Sequence, residues 1–190
     1  PEYNDAFVRD NFDFATMAEY EASVRKTLAE ERQDEIAAEK QSATLAVAVD
    51  NAEVLKYPEG VVEDYMAQQI DYVRYYAAQY GMSYADFVSA ATGEDVETYE
   101  AAVRTGAEQS VKEELVIWAI AEAENFTISD ERRASELASL LSYYNYDDLA
   151  SMCEAYGFTE EYMNRTMTYS IYYVDALDML VENATFTGAK

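Results

Sequence analysis

YAAQYGMSYADFVSAATG, residues 76–93, carries two helical patterns separated by a tight reversal. Gly81 follows the first pattern. Glycine reaches positive φ at no steric cost, so it suits the residue just past a helix C-terminus. Ser83 with Asp86 three residues on has the spacing of a capping box, which starts a new helix. That short helix is predicted to run to about residue 91. The stretch is therefore an αα-hairpin corner, and it points to an all-α chain. Tyr76, Tyr80, Met82, Tyr84 and Phe87 place large apolar groups on both sides of the reversal. At Met and aromatic positions with helical spacing, helix–helix packing and a surface that grips other polypeptides are both open readings.

The corner has an echo. YGFTEEYM, residues 156–163, repeats the order Tyr-Gly-apolar-Ser/Thr of YGMSYADF, residues 80–87. Tyr143, Tyr144, Tyr146, Met152, Tyr156, Phe158 and Tyr162 gather around this second copy. Two protruding helical hairpins are the expectation. The match is too short to define an internal repeat, because turn chemistry alone produces it.

Working outward, Asn4 is positioned to cap a short helix over residues 5–11. TMAE, residues 16–19, has capping-box spacing and opens a long helix predicted over 17–50. Met17, Tyr20, Val24 and Leu28 share one face, after which residues 30–40 are mostly charged and solvated on most sides. VLKYPEG, residues 54–60, breaks the pattern. The residue before a proline avoids the helical region, so 54–57 is expected to be extended, with Pro58 in the first turn of the next helix. Met66, Ile70, Val73 and Ala77 then form one stripe, and Tyr65, Tyr72, Tyr76 and Tyr80 the adjoining one. Asp95 caps a helix expected over 96–125, whose LVIWAIA segment (115–121) is apolar all round and the best candidate for burial, with Trp118 as core. Residues 126–129 form a second short extended piece, and Ser129 caps a helix to about residue 144. The last helix, 160–183, places Met163, Met167, Ile171, Val174, Leu177 and Val181 at steps of three and four. Helix should occupy about three quarters of the chain, far above the usual third.

Composition excludes several functions. The 190 residues carry a net charge of −25, and only Arg165 and Lys190 are basic beyond residue 134. No Lys/Arg patch exists to meet phosphates, so neither nucleic acid nor an anionic membrane surface is an expected partner. Solubility alone explains such a charge, and a neutral or basic polypeptide partner is compatible with it. With no histidine in the chain, a Ser-His or Cys-His nucleophile is excluded, as is an imidazole metal site. Acidic pairs such as Asp147 and Asp148 are expected to be solvated charges. No Gly-rich phosphate loop or EF-hand spacing occurs, so no cofactor and no metal are expected. Cys153, the single cysteine, cannot form an internal disulfide, is expected to pack as a small apolar side chain, and fits a reducing, cytoplasmic location. No apolar run reaches the length of a membrane span. The start at Pro1, without Met, is that of a chain cut from something longer.

Several stretches together resemble one family. PEYNDAFVRDNFDFATMAEYEASVRKTL (1–28), YPEGVVEDYMAQQI (57–70), the long segment from YGMSYADF to ISDE (80–131) and ALDMLVENA (176–184) are similar, in order and spacing, to the C-terminal domain of bacterial trigger factor, a ribosome-associated chaperone. The resemblance covers nearly the whole chain as one domain, 1–190, and is weakest over 142–165. It implies an all-α, elongated domain with two helical-hairpin arms around a cradle for unfolded clients, an architecture similar to that of the periplasmic chaperone SurA. It also implies that the family's ribosome-docking and prolyl isomerase domains lie outside this chain, which is then no enzyme and meets the ribosome only through the missing N-terminal domain. Tyr is commoner and Lys rarer here than the resemblance leads one to expect.

Two functions follow for comparison. In the first, the chain binds unfolded or nascent polypeptides without chemistry of its own. Met adapts to varied shapes, and Tyr offers a large ring with a wet tip. The twelve Tyr, Met and Phe residues named at the two corners are the candidate client-binding residues. In the second, the chain is a structural dimerisation or spacer module, with a second copy as its partner. Exposure discriminates the two, because contiguous exposed apolar patches favour binding.

Overall fold

Where these helices begin is decided by short polar side chains. A computed structural model describes residues 2–187; the remaining four, at the ends of the domain expected over 1–190, lie outside the described residues. Eight helices follow in order: α1 (Asp5–Asn11), α2 (Met17–Asn51), α3 (Val61–Gln79), α4 (Tyr84–Thr92), α5 (Val96–Ala123), α6 (Asp130–Tyr144), α7 (Leu149–Tyr156) and α8 (Glu160–Asn183). Helix makes up 78% of the described residues and no strand occurs among them, as the patterning predicts.

The first N–H groups of a helix lack intrahelical partners, so a side-chain oxygen placed before them is stabilising. Asn4, Thr16, Ser83, Asp95 and Ser129 accept from the amides of Phe7, Glu19, Asp86, Thr98 and Arg132 at 2.8–3.2 Å. Two further caps follow, of which Asp148 has no signal in the sequence and Thr159 is the hydroxyl that the echoed corner places there. Asp148 accepts from the Ser151 amide at 2.8 Å and opens α7, and Thr159 accepts from the Tyr162 amide at 3.1 Å and opens α8. The boxes close unconventionally. Glu19 reaches the amide of Ala15, one residue before the cap, and Asp86 accepts the Ser83 hydroxyl at 2.6 Å.

Helix ends share one device. At the ends of α3, α5, α6 and α7 the chain turns through Gly81, Asn125, Asn145 and Gly157, all with positive φ. In each, the next amide bonds five residues back: Met82 to Ala77, Phe126 to Ala121, Tyr146 to Leu141, Phe158 to Cys153, at 2.8–2.9 Å. That is the Schellman arrangement, which favours an apolar residue just past the turn. Met, Phe, Tyr and Phe occupy that place. An alanine at Gly81 or Gly157 meets no neighbour, so its cost, about 1–2 kcal/mol, is the left-handed strain alone.

α3 departs from expectation. Pro58 is not in its first turn. It opens a preceding turn, in which the Val61 amide meets the Pro58 carbonyl at 3.4 Å, and Gly60 at φ 80 caps α3 without any side-chain bond. Glycine's left-handed conformation moves the helix start three residues on from the proline.

Two compact units result. One holds residues through Ala46 and those from Leu180 onward; the other is Val47–Met179. In the first, α1 buries Val8, and Tyr3, Phe7, Phe12, Phe14 and Tyr20 form a run of ring contacts at 4.7–6.1 Å. Asp5 accepts from the Met17 amide at 2.8 Å, which ties α1 to the start of α2. Residues 30–40 of α2 are all exposed, as the charged pattern predicts, and so, against the apolar spacing, are Val24 and Leu28. In the second unit α3, α4 and α5 pack together, and α6 packs on α7. Val62, Ala107 and Val111 form a small core roofed by Tyr57, Met66 and Leu115. Arg132 of α6 grips Asp175 of α8 through both nitrogens at 2.8 Å. Ile117, in the segment chosen for burial, is fully buried, while Trp118 is only half-buried and Val174 of the α8 stripe is exposed.

The acidic caps carry a pH dependence. The amides of Thr98 and Ser151 hold the Asp95 and Asp148 carboxyls below the usual carboxylate range, helped by the same residues' side chains. A folded-state pKa depressed below the unfolded value, about 3.9, gives stability that is present above that value and lost as pH falls through the folded one. The thermal midpoint should therefore fall below about pH 4. Asp95→Asn with Asp148→Asn keeps both acceptors but removes the titration, so its midpoint, followed by circular dichroism, should fall less steeply in acid. An equally steep fall would show that the caps do not carry the effect.

Candidate functional site

The first corner divides into a seam and a surface. Tyr84 and Phe87, on the inner side of α4, are half-buried. The Tyr84 hydroxyl donates to Glu100 Oε1 at 3.3 Å, Arg74 lies 5.3 Å over its ring, and Tyr99 meets it edge-on. Burial first, and then the Glu100 carboxylate, push the Tyr84 phenol up. These contacts belong to helix packing. Tyr80 is 72% exposed and stacks on Phe87 at 6.0 Å, with Met82 beside it in sequence and also open. Tyr76 contacts both Tyr72 and Tyr75, at 4.7 and 5.6 Å, and all three are exposed. Tyr72 and Tyr75 were not among the candidates. Tyr72 lies four residues before Tyr76, a spacing that would have found it, whereas Tyr75, one residue before, has no such signal.

The second corner is a ladder of rings. Tyr143 meets Tyr144 at 5.0 Å, and Tyr144 meets Tyr156 at 5.6 Å. Tyr156 also meets Tyr146 at 6.1 Å and stacks on Phe158 at 6.3 Å; Phe158 stacks on Tyr162 at 5.3 Å. The last rungs are nearly parallel, at 13° and 28°. Six rings from α6, the α6–α7 connection, α7, the α7–α8 connection and α8 are thus continuous, and all of them but Tyr146 are exposed. Tyr143 is 83% exposed and Tyr156 51%.

Met152 does not join them. It is 2% exposed, on the α7 face that also buries Cys153, so its role is packing and it is withdrawn as a surface residue. Position decides this: Met152 and Tyr156 are one turn apart, but the Schellman turn at Gly157 leaves the last residue of α7 outside the buried face. Cys153 behaves as expected. Burial, then Glu160, push its thiol up, which disfavours the reactive thiolate.

Carboxylates flank the ladder. Asp147, Asp148, Glu154, Glu160 and Glu161 lie within its span, and no Lys or Arg occurs between Arg133 and Arg165. Among the described residues, no group of three or more His, Cys, Asp or Glu side chains is placed to hold a metal ion, and no helix is long and apolar enough to cross a membrane.

The family described as the bacterial trigger factor protein C-terminus matches residues 16–182. The trigger factor of Ligilactobacillus salivarius is 32% identical over 151 residues, covering 79% of this chain and 34% of that protein. Those of Bacillus subtilis and Desulforudis audaxviator are 28% and 29% identical over 184 and 189 residues, covering 96% and 98% of this chain and 42% of each protein. This chain therefore spans 34–42% of the length of these curated relatives.

Proposed function

This chain belongs to the family of the bacterial trigger factor C-terminus, and we propose on that basis that it is a chaperone domain that holds unfolded or nascent polypeptides on its exposed aromatic surfaces. The observation that carries the proposal is the six-ring ladder at the second corner, continuous by contact yet mostly open to solvent. Buried surface of this kind stabilises a fold, whereas exposed surface of this kind is available to a partner. The rings of Tyr143, Tyr144, Tyr146, Tyr156, Phe158 and Tyr162 supply apolar area, and the hydroxyl tips of the five tyrosines keep it wettable. Tyr72, Tyr75, Tyr76, Tyr80 and Met82 form a second, smaller surface, with Phe87 as its backing and Tyr84 as its seam.

The net charge of −25 keeps molecules with such surfaces apart. Binding is weak, multivalent and without bond-making, and the chain is not an enzyme. In this reading 1–190 acts as one functional domain in the cytoplasm, and any approach to the ribosome is made by a part of the protein outside this chain. A spacer module would have no use for the open rings, which weighs against that alternative.

The test is direct. A chemically unfolded protein is diluted into buffer with equimolar domain, and light scattering is followed. Slowed aggregation is expected. Aggregation at the rate seen without the domain would overturn the proposal.

A further inference from the structure

A third aromatic group lies apart from both corners. α5 ends at Ala123, and the turn through Asn125 brings Phe126 beside Tyr172 of α8. Tyr172 meets Phe126 at 5.9 Å and 62°, and Trp118 at 5.7 Å and 84°. Rings at such angles stand as walls and do not stack. With Ala121, Glu122 and Asn125 they line an open cavity of about 420 Å³, within the size range of small-molecule sites.

The polar handles of two walls are already engaged. Trp118 Nε1 donates to Glu114 at 3.2 Å, and the Tyr172 hydroxyl donates to the Phe126 carbonyl at 3.1 Å. The walls therefore offer π surface, negative on its faces. Glu122 is the charged residue of the lining, which holds no Lys or Arg.

We propose that this cavity binds a small quaternary ammonium cation, with its methyl groups against the rings and Glu122 as the counter-charge. Aromatic cages recognise such cations by the ring quadrupole. A quaternary nitrogen has no N–H, so it asks for no acceptors. A primary ammonium carries three donors and a tight hydration shell, which the ring faces do not replace, although Glu122, Asn125 and Thr127 of the lining carry acceptor oxygens. The site is independent of the client-holding surfaces and does not rest on them.

Trp118 is the only tryptophan and reports on the site. The whole chain is titrated with choline, with its neutral isostere 3,3-dimethyl-1-butanol and with N-acetyl-lysine amide, at constant ionic strength. Choline is expected to change Trp118 fluorescence saturably and to shift its own methyl proton resonance upfield. The isostere should bind about fivefold more weakly. Glu122→Gln, at an exposed position, should keep the thermal midpoint and weaken choline several-fold. Phe126→Leu should reduce the upfield shift and weaken choline; if that variant fails to fold, Glu122→Gln decides alone. Equal binding of the isostere, tighter binding of the lysine derivative, a non-saturating response to choline, or unchanged binding by Glu122→Gln would each overturn the assignment.

Discussion

Replacing Tyr143, Tyr156 and Tyr162 together by serine is expected to weaken the binding of an unfolded polypeptide by about ten- to a hundredfold. The three rings sit along the ladder and are each more than half exposed. A tyrosine contributes 150–250 Å² when fully covered, so about 100 Å² of each remains for a partner to cover. At about 25 cal/mol per Å² that is at most about 2–3 kcal/mol per ring. Ordering a flexible client returns much of it, which leaves about 1 kcal/mol each. Three such losses, not fully additive, give the stated range. Stability should fall by about 2–3 kcal/mol, since the three rings take part in all five ring contacts of the ladder and each such pair is worth at least about 0.5 kcal/mol. Anisotropy of a labelled, permanently unfolded polypeptide measures the affinity, and a thermal melt checks the fold. Unchanged affinity in a folded triple variant would remove the ladder from the binding surface.

The local rules of helix ends explain which parts of this structure were legible beforehand. Asn4, Thr16, Ser83, Asp95 and Ser129 act as caps within three residues of themselves, so spacing alone identifies them. Gly81 and Gly157 are likewise readable, because positive φ is a local demand. Asp148 was hidden for the opposite reason. In a chain with 38 acidic residues, an aspartate that caps α7 looks like the many that are only solvated. Pro58 misled because Gly60 two residues later sets the start of α3. Exposure at the two corners was not legible. Tyr80 and Tyr84 flank the same turn, yet one is open and the other is held by Glu100, Arg74 and Tyr99. Met152 and Tyr156 differ in the same way. Periodicity gives the face a residue shares, not what covers that face, and the latter depends on contacts distant in sequence.

Ile117→Ala should destabilise the Val47–Met179 unit by about 3–4 kcal/mol. Ile117 is fully buried and is the largest side chain so enclosed. The buried residues of its unit are mostly Val and Ala, with Met152, Met167, Ile171 and Leu177 the longer ones. A cavity that cannot collapse keeps its full cost. Against a total of about 5–15 kcal/mol for a domain, such a loss is severe. Ile117→Val removes one methylene and should cost about 0.5–1.5 kcal/mol, whereas Leu55→Ala, at a 90% exposed position, should change nothing measurable. Urea titration followed through neighbouring Trp118 gives all three. A loss below about 1 kcal/mol for Ile117→Ala would mean that the site relaxes freely and that the core is looser than its burial implies. The graded pair also separates scaffold from surface. A folded Ile117→Val variant should bind unfolded polypeptide as the parent does, because the rings at the second corner are supplied by α6, α7 and α8 and not by α5.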